Sequence, residues 1–357
     1  MRFGQFGLFD LDRRYEELSR GGDPLVKLAQ VVDFELFRRE LERALAFSDG
    51  SKGGRLPWDA VLMFKAFVLQ ALYGLSDEAL EFQIRDRLSF QRFLGLTPGD
   101  PVPDARTIWK WRERLTRSGV FERLFERFDR YLRKRGYIAQ GGRIVIAAII
   151  EARRPRLTAR EKQIMKRGEV PADWSEARRR QIDRDGRWTL KRGRKRESDG
   201  VVRRDLEALA TPVFGYKNHV NVDRTHGFIR NFDVTHAAAF DGHRLGRILD
   251  FENTASVVWA DAAYRTRANL ELLARKAMKP AFQYPKPKGK PMPAHIERGN
   301  RTRRAVRCLV EHVFAAIKWR FGFRLRSVGL ARAKARIALV NLTYNLTRLV
   351  FWEMRTA

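Results

Sequence analysis

With 357 residues, 44% of them hydrophobic, the chain can bury at least one full core, which excludes a disordered polycation and favours two domains or one elaborated domain. It sets 72 Lys and Arg against 42 Asp and Glu, a formal net charge of +30, which predicts salt-sensitive attraction to a polyanion because neutralised phosphates release condensed counterions. Cys308 is the sole cysteine, excluding an internal disulfide framework and a thiolate metal cluster; neither a leader-like apolar stretch at the N-terminus nor an uncharged run long enough to span a bilayer is present, so export and membrane embedding are not expected.

From about residue 24 to 136 the pattern is helical, with apolar residues three and four apart in Val61, Phe64, Val68 and Leu72 and again in Phe121, Leu124, Phe125, Phe128 and Leu132. Ser76 is a predicted N-cap for a helix over 77–88, and Asp104 for one over 105–115, because their side-chain oxygens can accept from unpaired backbone N–H groups. The loop 95–103 would join these helices in a helix-turn-helix-like arrangement. Trp109 and Trp111 suit base stacking, but core packing beside Ile108 and Leu115 suits them at least as well.

After Gly141-Gly142 the pattern turns β-rich, over 144–150, 214–222, 228–234 and 256–260. The middle two form a predicted hairpin, with Asp223-Arg224-Thr225-His226-Gly227 as its turn. The insertion between the first and second strands is dominated by Arg178-Arg179-Arg180, Lys191-Arg192-Gly193-Arg194-Lys195-Arg196 and Arg203-Arg204, and is expected to be partly flexible. Such a charge run suits solvation or phosphate contact. Helical patterns return over 243–249, 267–276, 303–319 and 334–351, with a proline-rich basic loop over 284–293. His219, His226, His236 and His243 lack the paired spacing of a zinc site and are assigned strand-end or surface roles.

On a continuous helix over 303–319, Arg304, Arg307, Glu311 and Lys318 stand at i, i+3, i+7 and i+14 and share one narrow stripe. Glu311 is then a candidate Mg²⁺ ligand flanked by phosphate clamps, against the plainer reading of a solvated charged stripe supported by an Arg307–Glu311 pair. Asp261 ends the apolar run Val257-Val258-Trp259-Ala260, where open α/β sheets gather ligands; the competing role is a helix N-cap.

Ala260-Asp261-Ala262-Ala263-Tyr264, followed by Arg304-x2-Arg307-x3-Glu311-x6-Lys318, resembles the signature of bacterial insertion-sequence transposases of the DDE class, in the IS-five-like branch. Gly215-Tyr216-Lys217-Asn218-His219, Glu311-His312-Val313-Phe314 and Phe321-Gly322-Phe323 extend the likeness. So do Leu75-Ser76-Asp77, Phe90-x2-Phe93-Leu94-Gly95-Leu96 and Pro103-Asp104-x2-Thr107, which carry it over nearly the whole chain.

The resemblance implies an α/β, ribonuclease-H-like mixed-sheet core at 141–357, with a basic insertion at about 153–210, after a helical DNA-binding domain at 1–140. In such a core the first and fourth strands lie side by side, and Asp261 and Glu311 map onto the second and third catalytic acids and metal ligands. The first acid should stand where this chain has Ile146. Relatives also commonly carry Ser at Ala262 and Asp at His236. Glu151 is a poor substitute, because five residues along a strand place it on the other face and about 16 Å away; Asp241 and Asp223 are acids that three-dimensional folding alone could bring near.

The implied function is a DNA transposase that binds element ends and performs metal-dependent strand cleavage and transfer, impaired because Ile146 replaces an aspartate. Two Mg²⁺ ions are expected in such a site, with Mn²⁺ as a substitute. Arg304, Arg307, Lys318, Lys191, Arg192, Arg194, Lys195 and Arg196 are the expected DNA contacts. Double-stranded DNA with terminal inverted repeats is the expected partner, for a homodimer in the cytoplasm at the nucleoid. The competing expectations are a cleavage-deficient DNA-binding relative and a plain RNA-binding protein.

Overall fold

The computed structural model describes residues 9–46, 57–193, 209–250 and 255–356. Packing divides the chain into two compact units. The first holds Met1–Tyr137, Ala315–Phe323 and Ala338–Ala357, and the second Ile138–Phe314 and Arg324–Ile337. Two C-terminal segments therefore cluster with the N-terminal helices, a division that differs from the single boundary at 140 read from the sequence.

The first unit is helical. Ala60–Tyr73 is apolar on all sides and almost wholly buried, as befits a central helix. Asp59 caps it by accepting from the Val61 and Leu62 amides, and Gly74 ends it in the left-handed conformation. A side chain at Gly74 would put a Cβ 2.7 Å from the Phe321 carbonyl oxygen. Around this helix, Phe37 packs against Phe64 at 4.8 Å and Phe34 edge-on against Phe93 at 5.5 Å. Ser76 and Asp104 cap Asp77–Asp86 and Ala105–Arg117 from their side-chain oxygens. Arg112 ties these two helices by an ion pair to Asp77. Trp111 faces the core, whereas Trp109 is exposed. At the other end Tyr137 and Arg135 both donate to Glu353, at 2.9 and 3.3 Å. No single helix among the described residues is long and apolar enough to cross a membrane.

The second unit is a mixed α/β fold around a six-stranded sheet of β1 (Arg143–Glu151), β2 (Arg187–Gly193), β3 (Leu209–Asp223), β4 (Ile229–His236), β5 (Val257–Ala260) and β6 (Lys279–Phe282). The order is β2-β3-β1-β5-β6, with β4 also paired to β3. β1 is antiparallel to β3 and parallel to β5, which is parallel to β6. The first and fourth of the strands expected from sequence are thus neighbours. The predicted hairpin is β3–β4. Its turn is organised by Asp223, which accepts from the His226 and Phe228 amides and pairs with the buried Arg230 at 3.1 Å.

One sheet face carries Val145, Val258 and Ala260, packed with Leu245, Ile248, Tyr264 and Leu273 from the connecting segments and with Phe282 of β6. Burying each large side chain of this kind contributes roughly 1.5–3 kcal/mol, which fixes the register of β1 against β5.

Where it is described, the insertion forms helices Ala159–Lys166 and Glu176–Gln181 and then strand β2, while its residues 194–208 lie outside the described residues. Local capping and strand pairing order it, with Thr158 and Glu161 forming a reciprocal capping box. One sequence expectation is corrected here: the helix over 303–319 is interrupted. Ala294–Cys308 ends in a turn at Leu309 and Val310, Glu311–Ala315 resumes, and Ala316–Arg320 is a π-turn.

Candidate active site

Parallel pairing sets Ile144 opposite Trp259. Two residues further along each chain, the same register carries Ile146 to the level of Asp261, which continues β5 in extended backbone. Side chains two apart share a face. Ile146 therefore occupies the place on β1 from which a carboxylate would meet Asp261.

Asp261 also takes the plainer role weighed for it, accepting from the Ala263 amide at 2.9 Å and capping the short helix Ala262–Tyr264. Burial pushes its carboxyl pKa up, and the charge of Asp241 acts in the same direction. The Ala263 amide and the Arg307 guanidinium oppose them. Asp261 is therefore an acid held partly out of water beside one cation and one further acid.

Arg307, on Ala294–Cys308, links the two predicted acids: it acts on Asp261 electrostatically, and its Nη2 donates to Glu311 Oε1 at 3.5 Å. Glu311 is 58% exposed and also accepts from Cys308 Sγ at 3.5 Å. The Arg307 Nε–H is buried and has no hydrogen-bond partner among the described residues.

The single stripe of four charges does not form, because the turn at 309–310 and the π-turn at 316–320 shift the helical phase twice. Arg304 is exposed on the same helix as Arg307, whereas Lys318 lies in the π-turn of the other unit. Lys191 is exposed on β2, and Arg192 lies on the same strand. Arg194, Lys195 and Arg196 fall outside the described residues.

The other acids are engaged elsewhere. Asp241 Oδ1 accepts from Lys217 Nζ at 2.8 Å, and Lys217 also donates to the Ala239 carbonyl. Lys217 pairs in register with Ile149, on the face opposite Ile146, and holds Asp241 in an ion pair while the charge of Asp241 still reaches Asp261. Asp223 is consumed by its turn. Glu151 pairs with Gly215 and also faces away from Ile146.

The strand-end or surface role assigned to His219 is corrected. It is fully buried in the middle of β3, because its neighbours on that face are covered by the segment from Asp241 onward. Its Nε2 contacts Thr235 Oγ1 at 2.8 Å, and that hydroxyl donates to the His236 carbonyl at 3.2 Å. Nε2 therefore carries the hydrogen, leaving Nδ1 bare and 4.0 Å from Asp241 Oδ1. Sequence reasoning missed the Lys217–Asp241 pair, although the alternation of Gly215, Lys217 and His219 on one face was a usable signal.

These donors do not fit a two-ion metal site. Asp261 and Glu311 offer hard oxygens, but Ile146 offers none and Arg307 already neutralises part of the pair. Among the described residues no three His, Cys, Asp or Glu side chains gather closely enough to hold an ion.

The sheet thus carries an acid at the carboxyl end of a strand, an arginine beside it and a glutamate on the flanking helix. Residues 210–346 match the family described as a transposase DDE domain, and residues 13–114 match the family described as a transposase domain (DUF772). Together the matches cover about two thirds of the chain and support an insertion-sequence DDE transposase. The DDE domain suggests polynucleotidyl transfer and a ribonuclease-H-like fold, in a family that generally uses divalent metal ions. No solved structure matches the chain.

Proposed function

We propose that this chain is a DNA transposase of the IS-five-like branch that binds element ends, as a dimer at the nucleoid, and is impaired in strand cleavage and transfer. The observation that carries the proposal is the register that brings Ile146, not a carboxylate, to the level of Asp261. A two-ion in-line displacement needs a shared negative ligand between the ions, and an isoleucine supplies apolar bulk instead. Binding does not share this defect. Arg304 is exposed on the helix that carries Arg307, and the net charge of +30 draws the chain to DNA.

A cleavage-deficient DNA-binding relative is the limiting form of the same reading, favoured by Arg307, which contacts Glu311 at 3.5 Å and acts on Asp261 electrostatically. The test is a nicking and strand-transfer assay on element-end DNA, with Mg²⁺ and separately with Mn²⁺, comparing the natural chain with Ile146→Asp. The natural chain should bind the ends yet cleave at least ~100-fold more slowly than the variant, the usual scale for losing a group that acts on the transition state. Equal and robust cleavage by both proteins would overturn the predicted defect. Failure of the natural chain to bind DNA would overturn the proposal as a whole.

A further inference from the structure

The insertion is built around two acids turned inward. Glu161 accepts from the Thr158 amide at 2.7 Å, from Trp174 Nε1 at 2.6 Å and from Arg178 Nη2 at 2.7 Å. Led by the Thr158 amide, these donors bring its carboxyl pKa down to about 2. Asp183 accepts from the buried Tyr216 hydroxyl at 2.7 Å and from the Asp185 and Gly186 amides at 3.0 Å. Asp185 in turn accepts from the Leu330 amide at 2.8 Å. The scaffold therefore spends much of its negative charge on its own backbone and side chains.

Between these anchors opens a groove of about 1710 Å³. It exceeds the roughly 300–1,000 Å³ of a small-molecule site. Lys162, Lys166, Arg179 and Arg184 line it, all exposed, and no ion pair engages any of them among the described residues. Trp188 stands at the groove on the edge strand β2, 49% exposed. Its ring lies 5.6 Å from that of Phe214, and the Arg154 guanidinium lies 5.6 Å from its centroid. A large aromatic left half in water, braced from behind and set in a cationic groove, is the combination that binds single strands: cations follow the backbone while a base stacks on the ring.

We propose that this groove holds an unpaired stretch of DNA strand at an element end, with its phosphates along Lys162, Lys166, Arg179 and Arg184 and a base on Trp188. The proposal rests on the reading of the chain as a DNA-binding transposase. Phe214, against Trp188, stands six residues from Val220, the register partner of Ile146. At about 3.3 Å per residue the two levels are about 20 Å apart, or roughly six stacked nucleotides at about 3.4 Å each. Groove and candidate active site lie toward the same end of the sheet, because β1 runs from Ile146 to Glu151 opposite Gly215.

The test is fluorescence anisotropy on the full chain with a blunt duplex of roughly 20 base pairs and the same duplex bearing an oligothymidine tail of about six nucleotides. The natural chain should prefer the tailed duplex. Trp188→Ala should lower affinity for it on the order of 10-fold without changing blunt-duplex affinity, and Trp188→Phe should restore most of the preference. Replacing Lys162, Lys166, Arg179 and Arg184 together by Gln should flatten the salt dependence of tailed binding by about 3 in log–log slope. The four cations are exposed, so their Gln variant should melt like the natural chain; Trp188→Ala also loses the contact with Phe214, and the preference restored by Trp188→Phe separates stacking from lost stability. DNA binding without tail preference, a preference that survives both sets of changes, or a stronger preference for an oligouridine RNA tail would each overturn the groove while leaving the function proposed above intact. Absence of any DNA binding would instead bring down that function.

Discussion

His219 carries the clearest acid sensitivity in the second unit. Burial, the largest influence on it, brings its pKa down to about 4 despite the opposing charge of Asp241. The folded value lies below the unfolded value of about 6.5, so the unfolded chain takes up the proton first as pH falls. The stabilisation is complete above about pH 6.5 and is lost progressively as pH falls to about 4, by up to about 3 kcal/mol. His219→Gln keeps a donor for Thr235 but cannot titrate. Urea melts from pH 7 down to pH 4 should show the natural chain losing more stability than this variant; parallel curves would exclude His219 as the source.

At the scale of elements, Gly215 shows why one strand cannot be varied freely. A Cβ there would lie 2.2 Å from the Ile150 carbonyl oxygen and 2.9 Å from the Ala152 amide, both backbone atoms of the paired segment. Gly215→Ala must separate β1 from β3 at the level of Glu151, and should cost about 3 kcal/mol or more in a denaturant titration. A loss below about 1 kcal/mol would mean that the two strands yield easily. The elements legible in the sequence were those with local signals: the caps at Ser76 and Asp104, the Asp223 turn, and the β1 and β5 runs. The break at Leu309 and Val310 was not legible, because Val310, Val313, Phe314 and Ile317 keep helical spacing through it and neither glycine nor proline marks it. Glu161 escaped for another reason, since its partners at 158, 174 and 178 meet only after folding. Asp261, Glu311 and the Arg307–Glu311 pair could be singled out from sequence, whereas the reach of Arg307 to Asp261, the Lys217 hold on Asp241 and the register opposite Ile146 depend on pairings that a linear pattern does not encode.

At the scale of the molecule, the net charge of +30 makes association with DNA a matter of displaced counterions. If six or more phosphates are engaged, the affinity for duplex DNA should fall with a log–log salt slope of about −5 or steeper. A slope shallower than about −2 in a filter-binding titration would show that most of these cations never meet a phosphate. The same charge has a second consequence at β2, an edge strand that leaves Trp188 and Leu190 in water beside Arg187 and Lys191. Mutual repulsion between such edges discourages strand-to-strand pairing of copies. Washing the protein free of DNA in molar salt shrinks the reach of that repulsion to about 3 Å. Purification designed to give a clean preparation thus removes the safeguard against self-assembly, and the protein should keep best either with its polyanion or in dilute buffer.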